Sequence, residues 1–189
     1  MRVDDAVLAP LRLRYGEPAA LELELEISAE ERDLVLASTR KQRYHDITFF
    51  VFAGDRLALI RKPHYPPGLW RPPGGGLRPD EPFEAGVKRE ALEELGVEID
   101  LTRYLVSARA VFRCDDVTIP WATHVFSAKT TATSLDPLDR REIAAARFGT
   151  IDELQGPIRE RLLATGRALW RYRVALHDAA VASFTAWTS

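Results

Sequence analysis

The sequence predicts an α/β domain, and three observations carry that prediction. Runs in which apolar residues alternate with polar ones, or follow one another unbroken, occur at 46–53, 56–62, 101–113 and 117–129, as in half-buried and buried strands. Between the second and third runs lies a glycine run, Gly74-Gly75-Gly76, leading into an amphipathic helix from Pro82 to Gly96. From Pro157 onward the pattern is helical. A chain of 189 residues suffices for one sizeable core with a small annex. The expected division is an N-terminal extension over 1–45 and a main domain over 46–189.

Composition narrows the function. Hydrophobic residues make up 46% of the chain and charged residues 29%, an ordinary balance for a soluble globular protein. The formal net charge of −2 gives no electrostatic case for nucleic acid or an anionic membrane, so neither is expected as a partner. Cys114 is the only cysteine, which excludes an internal disulfide and a cysteine-rich zinc site. The opening M-R-V-D-D-A-V-L has acids where a secretory signal would be basic and then apolar. No apolar run is long enough to span a bilayer. A cytoplasmic protein is expected.

Residues 8–27 read as a β-hairpin. Leu11, Leu13 and Tyr15 alternate with Arg12 and Arg14, and Leu21, Leu23, Leu25 and Ile27 alternate with Glu22, Glu24 and Glu26. Period two argues strands, Gly16-Glu17-Pro18 supplies the turn, and the Arg row would face the Glu row. Ser28-Ala29-Glu30-Glu31 has the form of a capping box, opening a helix to about Lys41. The runs 46–53 and 56–62 form two strands turned at Gly54-Asp55.

The loop from His64 to Gly76 mixes stiff prolines with permissive glycines and so holds a shape. Tyr65 and Trp70 could stack on a base, and Arg71 could meet a phosphate; Trp70 could equally pack the loop, and His64 reads as a surface residue. In the next helix Pro82 suits the first turn and Gly96 the left-handed stop. Phe83, Val87, Ala91 and Leu95 form the stripe that anchors it. Glu90, Glu93 and Glu94 stand at i, i+3 and i+4, so three carboxylates share one face and repel one another. A hard divalent cation turns that repulsion into attraction. Arg89 can orient one of them. Gly86, one turn before Glu90, costs the helix roughly 1 kcal/mol against Ala, which suggests that a loop or ligand approaches there.

Taken together, Gly75, Glu81, Arg89, Glu90, Ala91, Glu93, Glu94, Gly96 and Val97 resemble the Nudix box: Gly, five residues, Glu, seven residues, Arg-Glu, an aliphatic, any residue, Glu-Glu, any residue, Gly, an aliphatic. The soft departure is Ala91, small where a larger aliphatic is usual. The resemblance implies an α/β/α sandwich with a mixed sheet. It also implies Mg²⁺-dependent hydrolysis, with Mn²⁺ as substitute, of a nucleoside diphosphate linked to another group. It implies further that the Gly74 carbonyl is a metal ligand alongside Glu90, Glu93 and Glu94, that Glu90 is ligand or base, and that Glu81 bonds Arg89. Some family members that cleave ADP-sugars dimerise through a β-rich N-terminal extension, so a homodimer through 1–45 is one expectation and packing on the parent domain the other.

Downstream, 101–113 and 117–129 form a long hairpin around Asp115-Asp116. Arg109, Arg113 and Trp121 lie on it as candidate pocket residues, and His124 reads as a satisfied sheet histidine. Residues 130–141 form a polar loop. Glu142, before a short strand ending at Phe148, resembles the further acidic ligand seen in a subset of the family. Two other functions stay open: a sanitising hydrolase of free nucleoside triphosphates, and a Nudix-like nucleotide-binding regulator without catalysis. The proline that marks many ADP-ribose hydrolases would fall near Phe112–Arg113, and the nearest later one is Pro120. The exact substrate is therefore not named by the sequence.

Overall fold

A single mixed sheet of six strands divides two hydrophobic layers in the computed structural model, which describes residues 5–39, 45–78 and 81–185. The elements run α1 (Asp5–Tyr15), β1 (Ala19–Glu26), α2 (Ala29–Thr39), β2 (His45–Ala53), β3 (Arg56–Arg61), α3 (Phe83–Leu95), β4 (Asp100–Cys114), β5 (Val117–Lys129), β6 (Ala145–Gly149), α4 (Ile151–Glu153), α5 (Arg159–Ala164) and α6 (Ala168–Thr185). The strand order is β1-β4-β5-β2-β3-β6. The β1–β4 and β5–β2 pairs are parallel and the other three antiparallel. On one face α1 and α3 pack through Leu8, Leu11, Tyr15, Phe83, Val87, Ala91 and Leu95 onto Ile47, Phe49, Val51, Tyr104 and Phe126. On the other face α2, α5 and α6 pack through Val35, Leu162, Tyr172 and Leu176 onto Phe50, Leu59, Val106 and Phe112. The architecture is the expected α/β/α sandwich. Among the described residues no helix is long and apolar enough to cross a membrane.

The N-terminal hairpin is corrected. Residues 5–15 form a helix with Pro10 inside it, and only the Leu/Glu run is a strand. Leu8, Leu11 and Tyr15 stand at i, i+3 and i+7 and are buried, whereas Leu13 is 90% exposed. Over so short a stretch, period two and period 3.6 share most of their apolar positions, and packing against Tyr104 and Phe126 selects the helix. The strand β1 joins the main sheet beside β4, with Glu22 opposite Arg109 and Glu26 opposite Arg113. The Arg row meets other acids: Arg14 donates to Glu84 at 2.7 Å, and Glu24 is paired with Arg113.

Other local readings hold. Ser28 Oγ accepts from the Glu31 N–H at 3.2 Å and Glu31 Oε2 from the Ser28 N–H at 3.1 Å, a reciprocal capping box. The expected helix end at Lys41 lies outside the described residues. The β4–β5 hairpin turns at Asp115, where φ is +51°. The helical pattern expected from Pro157 onward begins earlier, at Ile151, and Pro157 itself sits in a π-helical turn, Leu154–Ile158, kinked at Gly156.

Candidate active site

The β2–β3 hairpin is paired only at its turn, through Phe52–Leu57 and Ala53–Arg56. Beyond that the strands part, and the segment Arg71–Gly75 fills the gap. Arg71 exchanges both backbone hydrogen bonds with Ile60, at 2.8 and 3.1 Å; the Pro73 carbonyl accepts from Phe49 N–H at 3.1 Å and the Gly75 carbonyl from Ile47 N–H at 2.9 Å. Two prolines fit here because at Pro73 the wedge needs a carbonyl and no donor. The wedge sets Gly74 against β2 so tightly that a Cβ would lie 2.2 Å from the Ile47 carbonyl oxygen.

From the wedge the chain enters α3. Pro82 takes the N-cap position, with φ −56° and ψ 137°, and Gly96 is left-handed at φ 70°, its N–H bonded to the Leu92 carbonyl. The suspected approach at Gly86 is real: a Cβ would meet Leu77 Cδ2 at 2.2 Å and Glu81 Oε2 at 2.8 Å. Gly75 likewise lies against Glu90, 2.1 Å from Oε2 to a Cβ placed there.

Arg89 organises this face. Its Nε and Nη2 donate to the two oxygens of Glu81 at 2.8 and 3.0 Å, Nη1 donates to Glu90 and to Glu93 at 2.9 Å each, and Nη2 reaches the Gly76 carbonyl at 3.3 Å. The planar fork allows all of this at once. The hydrogen bonds from Arg89 hold the Glu81 carboxyl below its usual range against the effect of partial burial. Arg78, which sequence reasoning missed, donates to Glu93 at 3.0 Å.

Glu94 points the other way. It is 2% exposed, and Oε2 accepts from the Gly74 N–H at 2.7 Å. Its Oε1 is buried with no hydrogen-bond partner, 3.8 Å from Arg71 Nη2. Burial pushes its carboxyl up to about 7, with Arg71 and Lys62 only partly offsetting it. An unsatisfied buried oxygen of this kind costs about 1–3 kcal/mol, more when charged, and a cation would relieve it. The donors are hard oxygens, as Mg²⁺ and Mn²⁺ prefer. By donor type, then, the residues fit a divalent cation. The carboxylates do not yet converge, however: among the described residues no three His, Cys, Asp or Glu side chains form a metal cluster. Glu90 and Glu93 are drawn onto Arg89, and Glu94 faces Gly74.

The remaining candidates separate. Arg71 is 1% exposed, so its guanidinium is part of the frame and does not reach out to a phosphate. Tyr65 accepts from Arg71 Nε at 2.9 Å, and its ring lies edge-on to Trp170 at 4.9 Å, so it too is framework. Trp121 is 8% exposed, within the same buried cluster as Val35, Leu162 and Tyr172, where it does not line an open pocket. Arg109 is exposed and borders a cavity of about 160 Å³ with Arg12, Glu17 and Glu22, on strands away from the wedge. Arg113 is tied to Glu24. Trp70 is half-buried, with the Arg147 guanidinium 4.5 Å and that of Arg61 5.9 Å from its ring centre. Glu142 is half-exposed and paired with Lys62 at the end of β3. His124 Nδ1 shares a 2.6 Å hydrogen bond with the Tyr104 hydroxyl, but its Nε2 is buried with no hydrogen-bond partner, so the expected satisfied sheet histidine is satisfied at one nitrogen only. A larger cavity of about 620 Å³, bordered by Lys88, Leu92, Ile99 and Lys129, meets the Arg89 network at Arg89 and none of the carboxylates it gathers.

A family model described as NUDIX domain matches residues 42–168, and the chain belongs to that family. It is 40% identical over 57 residues to the NAD-capped RNA hydrolase NudC of Stutzerimonas stutzeri, covering 30% of this chain and 21% of that protein. With the NAD-capped RNA hydrolase NudC of Chromobacterium violaceum it shares 41% over 54 residues, 29% of this chain and 20% of that one. The chain thus spans about a fifth of the length of these curated relatives. A solved NUDIX hydrolase from Nitrosomonas europaea matches with a TM-score of 0.49 at 20% identity, covering 76% of this chain and 89% of that chain. A NUDIX family hydrolase from Clostridium perfringens matches with a TM-score of 0.45 at 19% identity, covering 60% and 85%.

Proposed function

We propose that this chain is a hydrolase that cleaves the pyrophosphate linkage of a nucleoside diphosphate joined to a second moiety, such as an ADP-sugar or an ADP-ribose-like compound. The observation that supports it most is the buried Glu94 carboxylate, with one oxygen lacking a hydrogen bond, on the helix whose Arg89 gathers Glu81, Glu90 and Glu93. Nudix hydrolases generally use divalent metal ions. Here Glu90, Glu93, Glu94 and the Gly74 carbonyl, with Glu142 as a further acid, would hold Mg²⁺ or Mn²⁺. Such a cation supplies charge neutralisation at phosphate oxygens and lowers the pKa of water.

The chain's own groups do the rest. Glu90 either accepts the proton of the attacking water or stays in the ligand set. Arg89 holds Glu90 and Glu93 in place, and Glu81 holds Arg89. Trp70, beside Arg61 and Arg147, is the surface offered to the base or the phosphates. The chemistry is chiefly positioning and charge stabilisation. The NAD cap in the relatives' names contains a nucleoside diphosphate joined to a second nucleoside, the kind of linkage proposed here. A cytoplasmic setting suits the lone, buried thiol of Cys114; of the two expectations for the N-terminal extension, the packing of α1, β1 and α2 on the parent sheet supports the second, and a homodimer is left to a measurement of mass in solution.

The test is a panel of ADP-ribose, ADP-sugars, dinucleoside polyphosphates, NADH, coenzyme A and nucleoside triphosphates, scored by initial rate with Mg²⁺ and again after chelation. The expected result is turnover of the conjugates with Mg²⁺ and none in EDTA. Turnover of free triphosphates alone would favour the sanitising function. Tight binding with no turnover would favour a regulator.

A further inference from the structure

We propose that Arg71, held by Tyr65, is a positioning residue that sets the affinity of the site for its cation by fixing Glu94 and the Gly74 carbonyl together. This rests on the metal-binding role of Glu94 and Gly74 proposed above. Arg71 touches both of those groups. Its Nη2 donates to the Gly74 carbonyl at 3.4 Å and lies 3.8 Å from Glu94 Oε1, while the Gly74 N–H bonds the other oxygen of Glu94. Gly74 is thereby gripped at both ends of its backbone by a carboxylate and the guanidinium beside it.

The distance to Oε1 matters. At 3.8 Å the guanidinium contributes charge but no hydrogen bond, so the oxygen keeps its lone pairs for a cation. A closed, bidentate ion pair would occupy them. The fork is kept from closing by its other bonds: Nε donates to the Tyr65 hydroxyl at 2.9 Å and Nη1 to the Pro72 carbonyl at 2.8 Å. Tyr65 is in turn wedged edge-on against Trp170 of α6, so a helix on the far layer braces the site. A lysine at 71 would keep the charge but lose the planar fork.

Mn²⁺ binding, followed without substrate by the loss of the free-ion EPR signal, tests this on the full chain, with thermal melts to check folding. E94Q should abolish high-affinity binding. R71M should weaken it by about 10–100-fold, as loss of a group that orients a ligand does. Y65F, which removes only the hydroxyl that restrains Nε, should weaken it by about 10-fold, and R71K should recover part of the loss in R71M. If R71M does not fold, Y65F and R71K decide. Wild-type affinity in both Y65F and R71K, with E94Q inactive in binding, would overturn the role of Arg71 while leaving the metal site standing. Wild-type protein that shows no Glu94-dependent Mn²⁺ binding would overturn the metal site and this inference with it.

Discussion

Glu94→Gln should make the metal-free protein more stable and the enzyme nearly inactive, and the size of the first effect follows from burial. The carboxyl value rises from 4.5 to about 7 on folding. At 1.36 kcal/mol per pH unit, holding the ionised carboxylate in the folded protein costs about 3 kcal/mol above pH 7. The sign follows from linkage. Below pH 4.5 the group is protonated in both states and costs nothing. Between 4.5 and about 7 the folded state binds the extra proton, so the cost grows as pH rises, and above that it is constant. Relative to wild type, E94Q should gain about 2–3 kcal/mol between pH 5 and pH 8 in urea unfolding with EDTA present. At the same time kcat should fall by about two to three orders of magnitude, the usual loss of one preorganised electrostatic contact. A stability difference between E94Q and wild type that is the same at pH 5 and pH 8 would refute the claim that Glu94 is a buried, costly charge.

Three further predictions follow from other contacts. Arg89→Met leaves the partly buried Glu81, Glu90 and Glu93 without their common cation, so unfolding free energy should drop by about 3 kcal/mol and kcat by about 10–100-fold, measured by urea titration and initial rates. Gly75→Ala brings a methyl within 2.1 Å of Glu90 Oε2; the side chain can swing away, so stability should change by about 0.5 kcal/mol or less while kcat falls by about 100-fold through the displaced carboxylate. Burial pulls His124 down to about 4 and His177 down to about 3, so the unfolded state binds protons first as pH falls below 6.5. Stability should therefore fall with decreasing pH, by about 3 kcal/mol between pH 6.5 and 5 in the E94Q background, where the opposing contribution of Glu94 is gone. A flat profile there would mean that the two histidines are not buried neutral.

What the sequence made legible was local. The stop at Gly96 and the crowding at Gly86 depend on helical spacing and stand as read, whereas the shared carboxylate face divides, Glu90 and Glu93 turning to Arg89 and Glu94 to Gly74. The capping box at Ser28 is equally local. The N-terminal helix was misread because Leu11, Leu13 and Tyr15 satisfy a strand while Leu8, Leu11 and Tyr15 satisfy a helix, and only the partner surface decides. Arg71 and Trp121 were placed at a ligand because their chemistry suits one, yet both are interior. Nothing near them in the chain announces the parting of β2 and β3 that draws Arg71 inward, or the helical layer packed on the face of the sheet that carries Trp121. The depth of Glu94 was hidden for the same reason: Glu93 and Glu94 look alike in sequence, and one turns to Arg78 and Arg89 while the other turns under Gly74.

The central claim is that water attacks phosphorus in a substituted diphosphate beside the carboxylates of α3. Hydrolysis in ¹⁸O-labelled water, with mass spectrometry of both products, tests it most directly. Glu90, Glu93 and Glu94 lie on one helix, not as two groups flanking a sugar, so the label should appear in a phosphate product and the alcohol or sugar product should remain unlabelled. Label on the sugar carbon would mean C–O cleavage and would contradict the account, even if the cation and all three glutamates proved necessary.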